Sequence, residues 1–204
     1  MHYNQGAWLN KNQNVETPPG VARYLHRLLR RKAKSLIFDP CIGPGALVEP
    51  WQSDVDIMGM DIRDVLNFPI SRFYQGRFEH CTSWEFPKPD LVLCNPPFNG
   101  GGQMMYPEQF LRQVVRIFGR EQPMAMITPH GFRLNLSAKS ERYRWMISDG
   151  PKITSIVSLP VNVFPGVRFH SEILMFNIKG LKPHYWYEEK KRAQSRRPKI
   201  EEVG

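Results

Sequence analysis

The sequence predicts an α/β domain built on a doubly wound, mostly parallel sheet of seven strands with the last one antiparallel. Three observations carry this expectation. Short apolar runs recur along the chain without polar alternation, as strands buried on both faces require. Helical patterns or Gly/Pro turns separate most of them. The final two runs, "KITSIVSLP" (152–160) and "SEILMFNIK" (171–179), have only a Phe/Gly/Pro loop between them, which suits antiparallel pairing.

The elements follow in order. "ETPPGVARYLHRLLRRK" reads as a helix capped by Thr17, with Pro18 and Pro19 in its first turn. "SLIFD" (35–39) is a buried strand, followed by a Gly/Pro turn and a short helix through Leu47 to Trp51. "VDIMGMD" (55–61) is a second strand ending in an acid, and a weak strand is expected near 77–81. "DLVLCN" (90–95) is a further core strand that stops against two prolines, which have no N–H to continue a ladder. In "PEQFLRQVVRIFG" (107–119) apolar residues fall at 110, 111, 114, 115, 117 and 118, a helical period that Gly119 ends. "PMAMITP" (123–129) is another strand, and a polar helix is expected from Ser137 to Ser148.

Composition bounds the function. The 204 residues are 41% hydrophobic and 12% aromatic, enough for one substantial core. No apolar run approaches the roughly 20 residues that span a bilayer. The N-terminus, "MHYNQGAWLNKNQN", lacks the apolar segment of a signal peptide, so a cytoplasmic protein is expected. Cys41, Cys81 and Cys94 are odd in number and read as reduced thiols, and no Cys/His spacing resembles a metal site. The net charge of +9 suits an anionic partner such as nucleic acid, although many small proteins are basic for solubility alone. Residues 23–34 carry six Lys or Arg and no acid, and the segment from Lys179 adds eight against four Glu. The domain is expected to cover 1–182, with 183–204 a basic, mobile tail and no separate target-recognition domain.

In doubly wound sheets ligands bind beyond the C-terminal ends of the strands. Three such ends are conspicuous here. "FDPCIGPGAL" places Gly43 and Gly45 where the backbone can approach a ligand closely and where a following helix would offer free N–H groups. Asp61 is a carboxylate placed to accept two hydroxyls of a ribose. "NPPF" (95–98) sets a rigid polar hook before an aromatic ring. Each has an ordinary explanation as well: glycines for tight turns, Asp61 as a helix cap, prolines as a strand stop.

Taken together, an acid-Pro-x-x-Gly-x-Gly turn, an acid about 20 residues on, and Asn-Pro-Pro-aromatic some 35 further resemble class I S-adenosylmethionine-dependent methyltransferases. More narrowly they resemble the enzymes that methylate the exocyclic N6 amine of adenine in DNA. The likeness runs from about 14 to 180. "ETPPGVARYL" resembles the N-terminal cofactor-contacting motif, "MGMDI" the ribose-binding acid, and "LCNPPF" the catalytic motif. "AMITPHGF" and "SLPVNVFPGVRFHSEILMF" resemble the later strands and their aromatic-bearing loop.

The resemblance implies S-adenosylmethionine as cofactor, held by Thr17, Asp39, Pro40, Gly43, Gly45, Asp61, Ile62 and Asn95. It implies that Asn95, Pro96, Pro97 and Phe98 carry the reaction, with Phe98 and Phe164 stacking on either face of the base, which a duplex would have to flip out. Many relatives carry an Asp before the catalytic strand. Here that stretch reads "HCTSWEF", and Thr82 or Ser83 is the expected substitute. The glycine-rich "NGGGQMMYP" (99–107) is expected to close over substrate. DNA is the expected partner in preference to RNA, with specificity from loops or a second subunit. The alternatives are methylation of an RNA base amine (adenine-N6 or guanine-N2), methylation of a protein glutamine amide, and a non-catalytic partner subunit that keeps the fold.

Overall fold

A computed structural model describes residues 15–98, 104–166 and 170–189. Residues 99–103 of the expected closing loop (99–107) and the charged segment 190–204 lie outside the described residues.

The architecture is a single eight-stranded sheet in the order β3-β2-β1-β4-β5-β7-β6-β8. Its strands are β1 (Leu36–Asp39), β2 (Asp56–Asp61), β3 (Arg72–Gln75), β4 (Leu91–Cys94), β5 (Met124–Pro129), β6 (Ile153–Ser158), β7 (Ser171–Phe176) and β8 (His184–Trp186). All neighbours are parallel except β7, which runs antiparallel to both β5 and β6. The expected doubly wound sheet with its antiparallel strand is therefore present, with one strand more than the sequence suggested.

Strand periodicity of two divides the interior into two apolar layers. Ile37, Leu91, Leu93, Ala125, Ile127, Ile173 and Met175 pack on Val21, Leu25 and Leu29 of α1 (Pro19–Leu29). Phe38, Val92, Cys94, Met124, Met126, Leu174 and Phe176 face Phe110, Leu111, Val114 and Phe118 of α2 (Tyr106–Phe118). Every side chain of β1 and β4 is buried, because each has a layer on either side. Gly119 ends α2 with φ of +90°, as its position in the sequence led us to expect.

Five local expectations are corrected. Thr17 does not cap α1: Pro18 occupies the cap position with no side-chain bond, and the Thr17 hydroxyl is engaged elsewhere. The third strand is Arg72–Gln75, while Phe78–His80 forms a 3-10 turn. Phe78 gave that stretch its apolar look, and its ring is a core plug against Phe38 at 5.4 Å and Phe110 at 6.0 Å. No α-helix follows the glycine turn, only a 3-10 segment at Glu49–Trp51. The polar helix α4 spans Glu141–Ser148, capped by the Ser140 hydroxyl, and a short α3 (Gly131–Leu134) precedes it. The stretch read as tail begins with β8, which pairs parallel with β6 and brings Tyr185 and Tyr187 against the α1-side core.

Candidate functional site

The parallel strands β1, β2 and β4 end on one edge of the sheet, and an open cleft lies there. Its wall comes from four short segments: Val15 to Thr17 ahead of α1, Asp39 and the turn from Cys41 to Leu47, Asp61 with Arg63, and Asn95 to Pro97. Segments from widely separated parts of the chain meet because parallel strands carry all their C-terminal ends to the same side.

Asp61, 7% exposed, accepts the Gly43 N–H on Oδ2 at 2.9 Å. Its Oδ1 accepts the Arg63 N–H at 2.9 Å and Arg63 Nε at 3.3 Å. Gly43 holds φ of +53°, a conformation that favours glycine. A Cβ there would lie 3.8 Å from the Arg63 guanidinium and 4.0 Å from Asp61 Oδ2, so a side chain would fill the space beside the acid.

Asp39 is 1% exposed and accepts the Cys41 N–H at 3.0 Å. Burial pushes its carboxyl up to about 7; the Cys41 N–H bond opposes this, and the nearby Asp61 charge adds to it. Cys41 and Cys94 are free thiols whose sulfurs lie 3.5 Å apart. Burial pushes both thiols up, the contact between them adding to this at Cys41 and opposing it at Cys94, so they rest protonated.

Asn95 follows the last residue of β4. Its Nδ2 donates to the Val15 carbonyl and to the Thr17 hydroxyl, each at 3.0 Å. Both amide hydrogens are thereby committed to the segment before α1, and Oδ1 is the pole left to receive a donor.

The cleft thus brings together Thr17, Asp39, Gly43, Asp61, Asn95, Pro96 and Pro97 from the expected set. Other expected residues stand outside its lining. Gly45, at φ of +95°, serves packing: a Cβ would meet the Phe68 ring at 2.5 Å. Pro40 does not line the cleft, Ile62 is 46% exposed, and Ser83 is exposed beside Trp84, whose ring packs on Phe38 and Phe118. Phe98 and Phe164 are 5% and 1% exposed, with centroids 6.1 Å apart and rings perpendicular. They touch edge to face within the α1-side core and leave no parallel slot between them. Arg63 was not anticipated; an arginine two residues past a strand-end acid was the available signal. Among the described residues no group of His, Cys, Asp and Glu has the arrangement of a metal site, and no helix is long and apolar enough to cross a membrane.

No family model and no curated protein matches the sequence. Solved structures do match in fold. A type I restriction-modification methyltransferase subunit from Streptococcus thermophilus superposes with a TM-score of 0.66 at 16% identity, covering 87% of this chain and 48% of that one. A candidate class I S-adenosylmethionine-dependent methyltransferase from Listeria monocytogenes gives 0.61 at 17%, covering 88% and 67%. A candidate RNA methyltransferase from Pyrococcus horikoshii gives 0.58 at 18%, covering 82% and 88%. The chain spans about half the length of the restriction-modification subunits it resembles, 44% and 48% of two of them. What is shared is the architecture: the chain has the fold of class I S-adenosylmethionine-dependent methyltransferases.

Proposed function

We propose that this chain transfers a methyl group from S-adenosylmethionine to the exocyclic N6 amine of adenine in DNA. The observation that carries the reading is the fixed amide of Asn95. With Nδ2 held by Val15 and Thr17, Oδ1 is preset to accept a hydrogen bond from an incoming amine. The Pro96 carbonyl beside it is stiffened by Pro97 and supplies a second acceptor. An adenine amine is a weak nucleophile because its lone pair is delocalised into the ring. Two acceptors fixed in advance draw its N–H bonds out of that plane and favour a localised lone pair, with little reorganisation during the reaction.

The cleft residues fit the cofactor. Gly43 leaves room beside Asp61, and a carboxylate with about four lone-pair sites can take a ribose diol once Arg63 Nε yields its place. Asp39 adds a second acid whose ionised form favours a cationic ligand. S-adenosylmethionine itself, when bound, supplies an electrophilic methyl group on a sulfonium. The chain's own work is to bind the nucleoside end at Asp61 and hold the acceptor amine at Asn95. Phe98 and Phe164, packed edge to face on each other, do not support stacking on both faces of a base.

A second reading, transfer to an RNA base amine, is favoured by one observation. The likeness to the Pyrococcus horikoshii protein takes in 88% of that chain, against about half of the restriction-modification subunits. Incubation with methyl-labelled S-adenosylmethionine and DNA, RNA or protein separately decides between them. Label in DNA as N6-methyladenine is the expected result, and label confined to RNA or protein would overturn it. Asn95→Ala should abolish transfer and leave cofactor affinity within a few-fold of wild type. Near-normal turnover in that variant would overturn the assignment of Asn95.

A further inference from the structure

A second polar cluster lies on the same edge of the sheet, outside the cleft. β5 runs parallel to the catalytic strand β4 and ends at Pro129, and α3 starts two residues later. β7 begins opposite that end, with Ser171 paired to Pro129 and Glu172 to Thr128. His130, Arg133, His170 and Glu172 are thereby gathered one strand away from Asn95.

Glu172 is 1% exposed, yet it is a carboxylate at the start of an otherwise largely apolar strand. Arg133 meets it side-on, Nε to Oε1 at 3.1 Å and Nη2 to Oε2 at 3.0 Å. His130 Nε2 lies 3.8 Å from Oε2. The His130 N–H donates to the His170 carbonyl at 2.9 Å, and the two imidazoles stand 6.2 Å apart. His130 is 44% exposed, Arg133 31%, and His170 is exposed.

A buried ion pair of this kind is weak as a stabilising device, since desolvation offsets most of its attraction. What it achieves geometrically is a guanidinium whose plane is fixed. The side-on contact uses Nε and one hydrogen of Nη2. The outer edge, Nη1 with the second Nη2 hydrogen, has no partner among the described residues. That edge has the spacing of a bidentate contact to two phosphate oxygens. The carboxylate stands behind it, shielded from solvent.

We propose that Arg133, aligned by Glu172 and flanked by His130 and His170, is a phosphodiester contact that seats a nucleic-acid backbone beside the catalytic strand. The inference rests on the nucleic-acid reading above and adds a place where the backbone is held. Arg133 is the contacting residue and Glu172 a positioning residue. A phosphate contact orients the strand and carries no base information, so its loss should weaken all sequences alike.

The test is binding of two duplexes across a salt series, one containing adenine and one of only G·C pairs, with calorimetric S-adenosylmethionine binding and thermal melting as controls. Arg133→Ala should weaken both duplexes by about tenfold and lower the slope of log affinity against log salt by about one. Arg133→Lys should keep the slope and lose several-fold in affinity, because the charge stays and the fork is gone. Arg133→Ala leaves a buried carboxylate unpaired and can fail to fold, so the apolar pair Arg133→Met with Glu172→Leu is the companion variant. It should melt near wild type, bind cofactor normally and show the same loss on both duplexes. Unchanged affinity and slope in that folded double variant would make the pair structural and overturn the proposal alone. A wild-type protein that binds no nucleic acid would overturn both this proposal and the reading beneath it.

Discussion

Asp39 shows how a single buried side chain ties the cleft to pH. Its carboxyl is raised from an ordinary value of 3.8 to about 7, with burial as the leading cause. The native state therefore holds a proton between these values that the unfolded chain has released. Stability then falls as pH rises from about 4 to 7, and the penalty is complete above 7. A shift of this size is worth at most about 4 kcal/mol. Asp39→Asn keeps the acceptor for the Cys41 N–H and removes the ionisation. The variant should nearly match wild type at pH 4 and be the more stable protein at pH 8, as urea melts at the two pH values would show. A wild-type stability that stays flat over this range would contradict the shift. At this scale the sequence was most informative where a polar residue ended an apolar run: Asp39, Asp61 and Asn95 all line the cleft. It was least informative for side chains whose place depends on a distant partner. Thr17 read as a local cap, but its hydroxyl meets an amide 78 residues away. Phe98 and Phe164 read as a clamp, but each found the other.

Among the elements, those carrying a strong period were legible. Helices α1 and α2 and strands β1, β2, β4, β5, β6 and β7 all lie where their apolar patterns put them, within a few residues. β3 and β8 were not, because both are edge strands with half-exposed side chains and no continuous apolar run. β8 was hidden further by the charged residues that follow it, which averaged its aromatics away. Its contacts make a definite prediction. Ser158 Oγ bonds His184 Nε2 at 2.8 Å, the Tyr187 N–H donates to the Ser158 carbonyl at 3.1 Å, and the Tyr24–Tyr187 rings stand 5.3 Å apart. Ending the chain before His184 should lower the melting temperature by several degrees, whereas ending it after Glu189 keeps every one of these contacts and should not. Equal melting of the two truncations would show that β8 adds nothing to the sheet. The loop bearing Phe164 allows a parallel test. Phe164→Ala should cost about 3–5 kcal/mol in a denaturant melt, the usual range for an aromatic in a packed core. A cost below 1 kcal/mol would return the ring to the surface and reopen its role in stacking.

Across the whole molecule the sheet sorts its labour by edge. The polar residues argued for chemistry and for backbone contact all stand at the C-terminal ends of parallel strands or at the start of β7, while the two apolar layers lie on the faces. The net charge of +9 is a property of this scale, since a field sums over distance and does not need contact. Part of it lies on the outer side of α1, where Arg23, Arg27 and Arg30 are exposed while Val21, Ala22, Leu25 and Leu29 are buried. Replacing the three arginines by glutamine takes the formal charge from +9 to +6 and leaves the buried face of the helix untouched. Such a change should act on encounter with a polyanion more than on the bound complex. Association with duplex DNA should slow several-fold at 20 mM salt, and the difference should nearly vanish at 300 mM, where charges more than several ångströms apart are screened. Dissociation should change by less than association. Stopped-flow binding at the two salt concentrations separates these effects. If the triple variant instead dissociates faster at both concentrations with an unchanged association rate, the α1 arginines are direct contacts, and the interface extends along the helix.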